Sequence, residues 1–309
     1  MVRLARSAYH EIVKLGQEPA AIEKSIEYVK KHLGEFLKRN ERVLIWFPEH
    51  KEGNLSWIME QAVLRCGAVP VVFEEDRRWK TLLRTAFSTR ASTIIGPPLV
   101  ILGLTKLQKA NKIPLFIRNV VTAGYPCLDW MIDGIIKGFD CRTWGCFGLD
   151  TSGVVAGFSC GRSRGVHLRD GEYGVDIIDE CGASAPEGEI VIFPREKPAL
   201  RHPLGEKARI ESEQCSCGRT SFRLMDMCPD KNADHDLLNL GQDLQSWTSI
   251  LDCRLQKSEY GLEMEIVTFP GEKLPKLPTA AKLVVRPWKP DSDEPFFYEP
   301  ALENPANFQ

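Results

Sequence analysis

Four soft metal-type ligands stand in two short stretches of the sequence. Residues 213–224 read EQCSCGRTSFRL, with Cys215 and Cys217 one residue apart, and residues 158–171 read FSCGRSRGVHLRDG, with Cys160 shortly ahead of His167. Three thiolates and one imidazole are the type and number of ligands in a closed tetrahedral zinc site. A saturated tetrahedron leaves no open position for water, so such an ion would tie two loops together and stabilise them; it would not activate a nucleophile. The same residues also fit a plainer reading as four unrelated loop side chains, and Cys181 and His202 are alternative ligands. Both readings stand on the residues alone.

The remaining reactive side chains carry less. Cys66, Cys127, Cys228 and Cys253 lie in apolar or turn contexts and read as structural, and His10, His32 and His50 read as exposed or satisfied helix and loop residues. A nucleophilic triad is defined by geometry, which residue types do not supply. A P-loop of the G-x-x-x-x-G-K-[ST] type is missing from the sequence.

The chain of 309 residues is 43% hydrophobic and 27% charged, enough to bury a large core in one large or two smaller domains. A net charge of −2 and a pI near 6.3 give no general attraction for phosphate backbones or anionic membranes, so neither nucleic acid nor membrane is expected as a partner. No apolar run approaches the roughly 18 residues of a spanning helix, and MVRLARSAYHEIVKLG is too charged for a secretory signal. The expected location is cytoplasmic. Ten cysteines scattered through such a chain suit reduced thiols and metal ligation better than a disulfide framework.

These residues need elements to position them. Apolar residues at helical spacing between Ser7 and Asn40 predict two helices, broken at Gly16 and Pro19. RVLIWF, LSWIMEQAVLRCG and AVPVVF then predict strand, helix and strand, and the alternation continues through WKTLLRTAFSTR, STIIG, LVILGLTKLQKA and FIRNVVTAG. That predicts an α/β fold with a parallel sheet and flanking helices. Beyond Cys141 the Gly-rich texture and the short runs GVDIID, GEIVIF and KARI predict an antiparallel, barrel-like region. ILDCRL, LEMEIV and KLVVRPW predict further strands in a small α+β C-terminal segment, ending in an acidic, Pro-rich tail expected to be poorly ordered.

Five stretches, taken in order, resemble one family. RVLIWFPEHKEG with AVLRCGAVPVVFE, ASTIIGPPLVILGL, VTAGYPCLDW through FGLDTSGVVAGFSC, GEIVIFPREKPALRHPLGEKARI and CSCGRTSFRL are similar to successive segments of the adenylate-forming enzymes, in the branch of phenylacetate-coenzyme A ligases and coenzyme F390 synthetases. The resemblance covers roughly residues 40 to 225. It implies three parts: N-terminal helices over 1–40, an adenylate-forming-like core over 41–225, and a short C-terminal segment over 226–309. It also implies the family reaction, in which a carboxylate and ATP give an acyl-adenylate and pyrophosphate, and the acyl group passes to a thiol such as coenzyme A. Cys160, His167, Cys215 and Cys217 occupy the places of that branch's zinc ligands.

The resemblance also implies a nucleotide pocket, with ATP or AMP and magnesium as cofactors and a small carboxylate or adenylate as ligand. Phe147 and Gly148 stand where a Tyr-Gly pair packs against adenine, and the change keeps an aromatic face. Asp150 and Thr151 stand for the following Thr-Glu, and Ala123, Gly124 and Tyr125 for the turn that contacts adenine. Glu206 replaces the Asp that binds the ribose hydroxyls, and Arg201 matches the first arginine of its motif. The family's Ser/Thr/Gly-rich phosphate loop and hinge motif have no counterpart, and the segment after Leu240 is short for the family's mobile domain; Lys273 and Lys276 are candidate replacement lysines, with exposed linker charge as the plainer reading. Two functions follow as expectations: a ligase acting on an aryl or acyl carboxylate, or a catalytically inactive, zinc-braced relative that binds a ligand or a protein partner.

Overall fold

The structure, a computed structural model, describes residues 10–73, 77–125, 127–149, 152–229, 243–244, 247–258, 261–274, 276–277 and 282–295. Two helices lead the chain, α1 over residues 10–16 and α2 over Pro19–Leu33, the second started by a proline whose missing N–H costs nothing in the first turn. They are followed by β1 (Arg42–Ile45), α3 (Leu55–Arg65), β2 (Val69–Val72), α4 (Trp79–Ser88), β3 (Thr93–Gly96), α5 (Pro98–Ala110) and β4 (Asn119–Thr122). α3 starts where the Asn54 side chain accepts the Trp57 amide at 3.0 Å.

Strands β1 to β4 pair in parallel in the order β2-β1-β3-β4, and β5 (Arg142–Gly148) continues the parallel run. The apolar runs of β1, β3 and β4 are buried on both faces, as helices on each side of a parallel sheet require, while the edge strand β2 is partly exposed. Alternation along β1 and its extension is visible in the cores: Leu44 and Trp46 point to the layer of α4 and α5, while Val43, Ile45 and Phe47 point to that of α2 and α3.

α6 (Asp129–Phe139) was not foreseen as a helix. Its DWMIDGIIKGF sequence holds two glycines, which weaken helix propensity by about 1 kcal/mol each. The structure gives their reason. A Cβ on Gly138 would stand 2.4 Å from the Thr105 Cβ, and one on Gly134 would stand 2.7 Å from Leu102 Cδ1, so the glycines let α6 settle against α5. Gly138→Ala is therefore expected to lose about 1–3 kcal/mol of stability from overpacking despite its better propensity. A urea midpoint at or above that of the parent would overturn this account of α5–α6 packing.

After β5 the sheet turns antiparallel. β6 (Val155–Phe158), β7 (Val166–Leu168), β8 (Tyr173–Ile178), β9 (Glu187–Pro194), β10 (His202–Glu211) and β11 (Arg223–Pro229) complete an 11-stranded sheet in the order β2-β1-β3-β4-β5-β6-β7-β11-β10-β9-β8. The expected mixed architecture is thus present, with the Gly-rich half folded over its own core of Ile12, Phe147, Val154, Ile177, Ile190 and Leu224.

The C-terminal segment forms a separate sheet of β12 (Ile250–Ser258), β13 (Gly261–Thr268) and β14 (Lys282–Pro287), with β13 and β14 parallel. It does not stand apart. Leu251, Val267, Phe269 and Trp288 join the α4–α5 core, and the Trp79 amide donates to the Asp293 carbonyl at 3.0 Å. Buried Lys106 on α5 donates to the Ile250 carbonyl at 2.9 Å, and burial lowers its ammonium to about 8. Residues 287–295 of the tail expected to be poorly ordered are docked here, and the tail beyond 295 lies outside the described residues. No helix among the described residues is long and apolar enough to cross a membrane.

Candidate functional site

The two loops that carry the soft ligands meet. Cys160 follows β6, His167 lies within β7 opposite Phe158 and Arg223, and Cys215 and Cys217 sit in the turn between β10 and β11. Their ligand atoms all lie within 4.8 Å of one another. Cys160 Sγ and Cys215 Sγ are 3.6 Å apart, and Cys217 Sγ and His167 Nε2 are 3.4 Å apart. Zinc with Zn–S near 2.3 Å and Zn–N near 2.0 Å gives tetrahedral edges of about 3.8 and 3.5 Å, so the donor set fits that ion. The sulfurs are too far apart for a disulfide, whose bond is about 2.05 Å. Cys181, exposed on another turn, and His202, at the start of β10, are not part of the cluster.

The surroundings hold these ligands in place. His167 Nδ1 lies 3.2 Å from the Ser221 hydroxyl, which fixes the ring so that Nε2 faces the sulfurs. Burial opposes a Cys215 thiolate, but hydrogen bonds from the Ser163 hydroxyl, at 2.8 Å, and the Cys217 amide outweigh it and bring the thiol down to about 5. Buried Arg223 donates to the Arg164 carbonyl at 3.2 Å and the Glu213 carbonyl at 3.4 Å, joining the two loops directly. Arg164 reaches Asp129 and Asp133 on α6, and Arg219 reaches Glu35 beyond α2 and His32 on it. Burial, then the Arg219 charge, lowers His32 to about 4. The cluster is therefore braced against helices on two sides, and none of its four ligands lines the cleft described next.

A second, separate feature lies at the carboxyl ends of β4 and β5, where the sheet passes from parallel to antiparallel pairing. Gly124, Tyr125, Cys146, Phe147, Gly148, Leu149, Leu204, Glu206 and Met227 line a cleft of about 140 Å³. A cavity of about 150 Å³ takes a benzene molecule, so this cleft seats about one ring system, with the rest of a ligand at its mouth.

Two irregularities in strand pairing shape its walls. The β5–β6 register shifts between Phe147 and Gly148, and a Cβ on Gly148 would stand 2.3 Å from the Val154 carbonyl oxygen. The β9–β10 register shifts between Pro203 and Lys207, so that four residue steps on β10 face two on β9, from Val191 to Glu189. Gly205, at φ 69°, makes that excursion in a region L-residues avoid. The excursion carries Leu204 and Glu206 to the cleft wall. Glu206 is half-buried, has no hydrogen-bond or ion-pair partner among the described residues, and burial raises its carboxyl to about 7. The thiol of Cys146 is likewise pushed up by burial.

Of the residues singled out for the nucleotide pocket, Gly124, Tyr125, Phe147, Gly148 and Glu206 come together on this cleft. Ala123 is fully buried behind it. Arg201 lies elsewhere, paired with Asp176 on β8 and packed over the Phe193 ring at 5.5 Å. Asp150 and Thr151 lie outside the described residues. Lys273 and Lys276 are exposed and do not line the cleft. Cys146, Leu149, Leu204 and Met227 were missed: Leu149 follows the Phe147-Gly148 pair directly, whereas nothing in the local sequence of the other three marks them.

No protein-family model matches the chain, and no curated protein matches it. Solved structures do. A 2-hydroxyisobutyryl-CoA ligase in its postadenylation state, in complex with 2-HIB-AMP, is similar over 90% of this chain and 68% of its own, with a TM-score of 0.69 at 13% identity. An anthranilate CoA ligase in complex with anthranoyl-AMP is similar over 85% of this chain and 60% of its own, with a TM-score of 0.54 at 12% identity. A benzoate CoA ligase from Burkholderia xenovorans is similar over 85% of this chain and 62% of its own, with a TM-score of 0.53 at 12% identity. The chain thus has the fold of the acyl- and aryl-CoA ligases and spans about two thirds or less of their length.

Proposed function

We propose that this protein binds the adenosine part of an acyl- or aryl-adenylate, as the adenylate-holding body of a carboxylate-activating ligase of the phenylacetate-CoA ligase type. The observation that carries the reading is the convergence of Gly124, Tyr125, Phe147, Gly148 and Glu206 on one cleft at the carboxyl ends of β4 and β5. Phe147 offers an aromatic face for a base, and Glu206 offers acceptor oxygens for hydroxyl or amino donors. The likeness in fold to ligases solved with adenylates supports the same reading.

Holding an adenylate and making one from ATP place different demands on the site. Pyrophosphate formation needs cationic or amide donors around the phosphates. Among the described residues lining the cleft, the group with a formal charge is the Glu206 carboxyl, which is anionic above about pH 7. This favours a protein that retains an adenylate over one that cleaves ATP. Zinc in this account is structural, held by Cys160, His167, Cys215 and Cys217, where it would brace the β6–β7 and β10–β11 connections.

Calorimetric titration with adenosine and AMP tests the reading. Micromolar binding of at least one is expected, and Phe147→Leu, which keeps an apolar side chain but removes the ring, should weaken it about tenfold, given that base–aromatic stacking contributes about 1–3 kcal/mol. Absence of binding by both compounds to the parent protein would overturn the reading.

A further inference from the structure

We infer that the cleft sorts adenosine compounds by charge, taking the uncharged nucleoside most tightly, a singly charged adenylate ester next, and AMP and ATP last. The inference rests on the reading that the cleft receives adenosine and adds to it the class of 5′ substituent that the site accepts. Its basis is the composition and shape of the lining. Leu149, Leu204 and Met227 are apolar, Phe147 is aromatic, and Cys146 is a buried thiol. The one formally charged group among the described lining residues is the Glu206 carboxyl, aimed into the cleft by the β10 excursion and unpaired there.

An unpaired carboxylate in a partly desolvated cleft acts on a ligand in two ways. It accepts hydrogen bonds from hydroxyl and amino groups, and leaving it without such a donor is costly. It also repels a phosphate at the same mouth, in surroundings less polar than water, where repulsion between like charges is stronger. A cleft of about 140 Å³ leaves everything beyond one ring system at that mouth, which puts a 5′ phosphate within reach of this repulsion. Each added negative charge therefore weakens binding. An acyl-adenylate, with one charge on its phosphate, is disfavoured least among the phosphorylated forms, so the selection agrees with retention of an adenylate and opposes capture of free ATP.

The arrangement of cations reinforces the point. Arg201, just ahead of β10, is turned to Asp176 and the Phe193 ring. Lys207, next to Glu206 in sequence, does not line the cleft, and Arg209 is paired with Glu211 and Asp226. Neither guanidinium compensates the carboxyl, and burial is its one resolved perturbation.

The test is a calorimetric series at about pH 8.5, where the Glu206 carboxyl is ionised, with adenosine, the methyl ester of AMP, AMP and ATP, each with and without magnesium, at low and at moderate salt. Adenosine is expected to bind at least about tenfold more tightly than AMP, a gap of about 1.4 kcal/mol, with the methyl ester between them and ATP weakest. The gap should narrow as salt rises, because screening acts on the repulsion and not on stacking. Glu206→Gln should close most of the gap by strengthening AMP binding, an effect that a purely steric mouth would not show. AMP or ATP binding as tightly as adenosine, or a gap unchanged in Glu206→Gln, would overturn the inference while leaving the adenosine cleft in place. Absence of binding by every compound would overturn both.

Discussion

Cys215→Ser is expected to lose its bound zinc and to unfold at a markedly lower urea concentration than the parent. The parent should carry about one zinc per chain. An ion at a free concentration 1,000-fold above its dissociation constant stabilises the folded state by about 4 kcal/mol. Serine in place of Cys215 removes the sulfur that faces both Cys160, at 3.6 Å, and Ser163, at 2.8 Å, so the cage loses a corner and most of that contribution. The loss is not only local. The turn that holds Cys215 is tied through Arg219 to α2 and through Arg223 to the loop that itself reaches α6 by Arg164. A chelator supplies the control: it should bring the parent to the variant's midpoint and leave the variant where it is. Metal content in Cys215→Ser equal to that of the parent, or a parent insensitive to chelation, would show that the four residues meet without holding an ion.

Glu206→Gln is expected to stabilise the unliganded protein above pH 7 and to have no effect on stability below about pH 4. The carboxyl titrates at about 7 when folded against an ordinary value of 4.5, with burial as the cause. Its contribution is therefore fully favourable below 4.5, declines as pH rises between 4.5 and 7, and is a constant penalty above 7. At about 1.4 kcal/mol per pH unit this penalty is at most about 3.5 kcal/mol, less whatever solvent reaching the half-buried side chain removes. Glutamine keeps the shape and never charges. Urea midpoints of parent and variant should converge at pH 4 and separate at pH 8. A constant separation across that range would mean that the carboxyl is solvated and that its position in the cleft carries no electrostatic cost.

Much of this molecule was legible in its sequence where one physical demand dominated. Runs such as VLI in β1 and TII in β3 are buried on both faces, so they are apolar without interruption, and the helices between them keep a clear period. Cys160, His167, Cys215 and Cys217 stood out because soft ligands in loops have few other uses, and they do converge. Legibility failed where two demands conflicted. Gly134 and Gly138 serve close helix packing at the expense of helix propensity, which hid α6. Trp288 and Asp293 lie in a stretch whose prolines and acids read as disorder, yet the indole is buried, the Asp293 carboxylate meets Arg286 of β14 at 2.7 Å, and the Asp293 carbonyl accepts from the Trp79 amide of α4. Leu204 and Met227 reach the cleft through strand pairing, which no local pattern encodes. Arg201 was placed by motif position alone, and its side chain answers instead to Asp176 on the edge strand β8, one strand beyond β9.

The irregular pairing of β9 with β10 makes the cleft wall a matter of chain length as much as of side-chain identity. β10 spends two residues more than β9 between Pro203 and Lys207. Two is an even number, so the strand regains its inside-out alternation afterwards, and Ala208 and Ile210 still face the core of the antiparallel half. Removing that surplus would straighten the strand and withdraw the wall without turning any later residue inside out. The cleft wall is thus a two-residue surplus laid on a finished sheet, and lengthening or shortening it would reshape the cleft while the core stays the same.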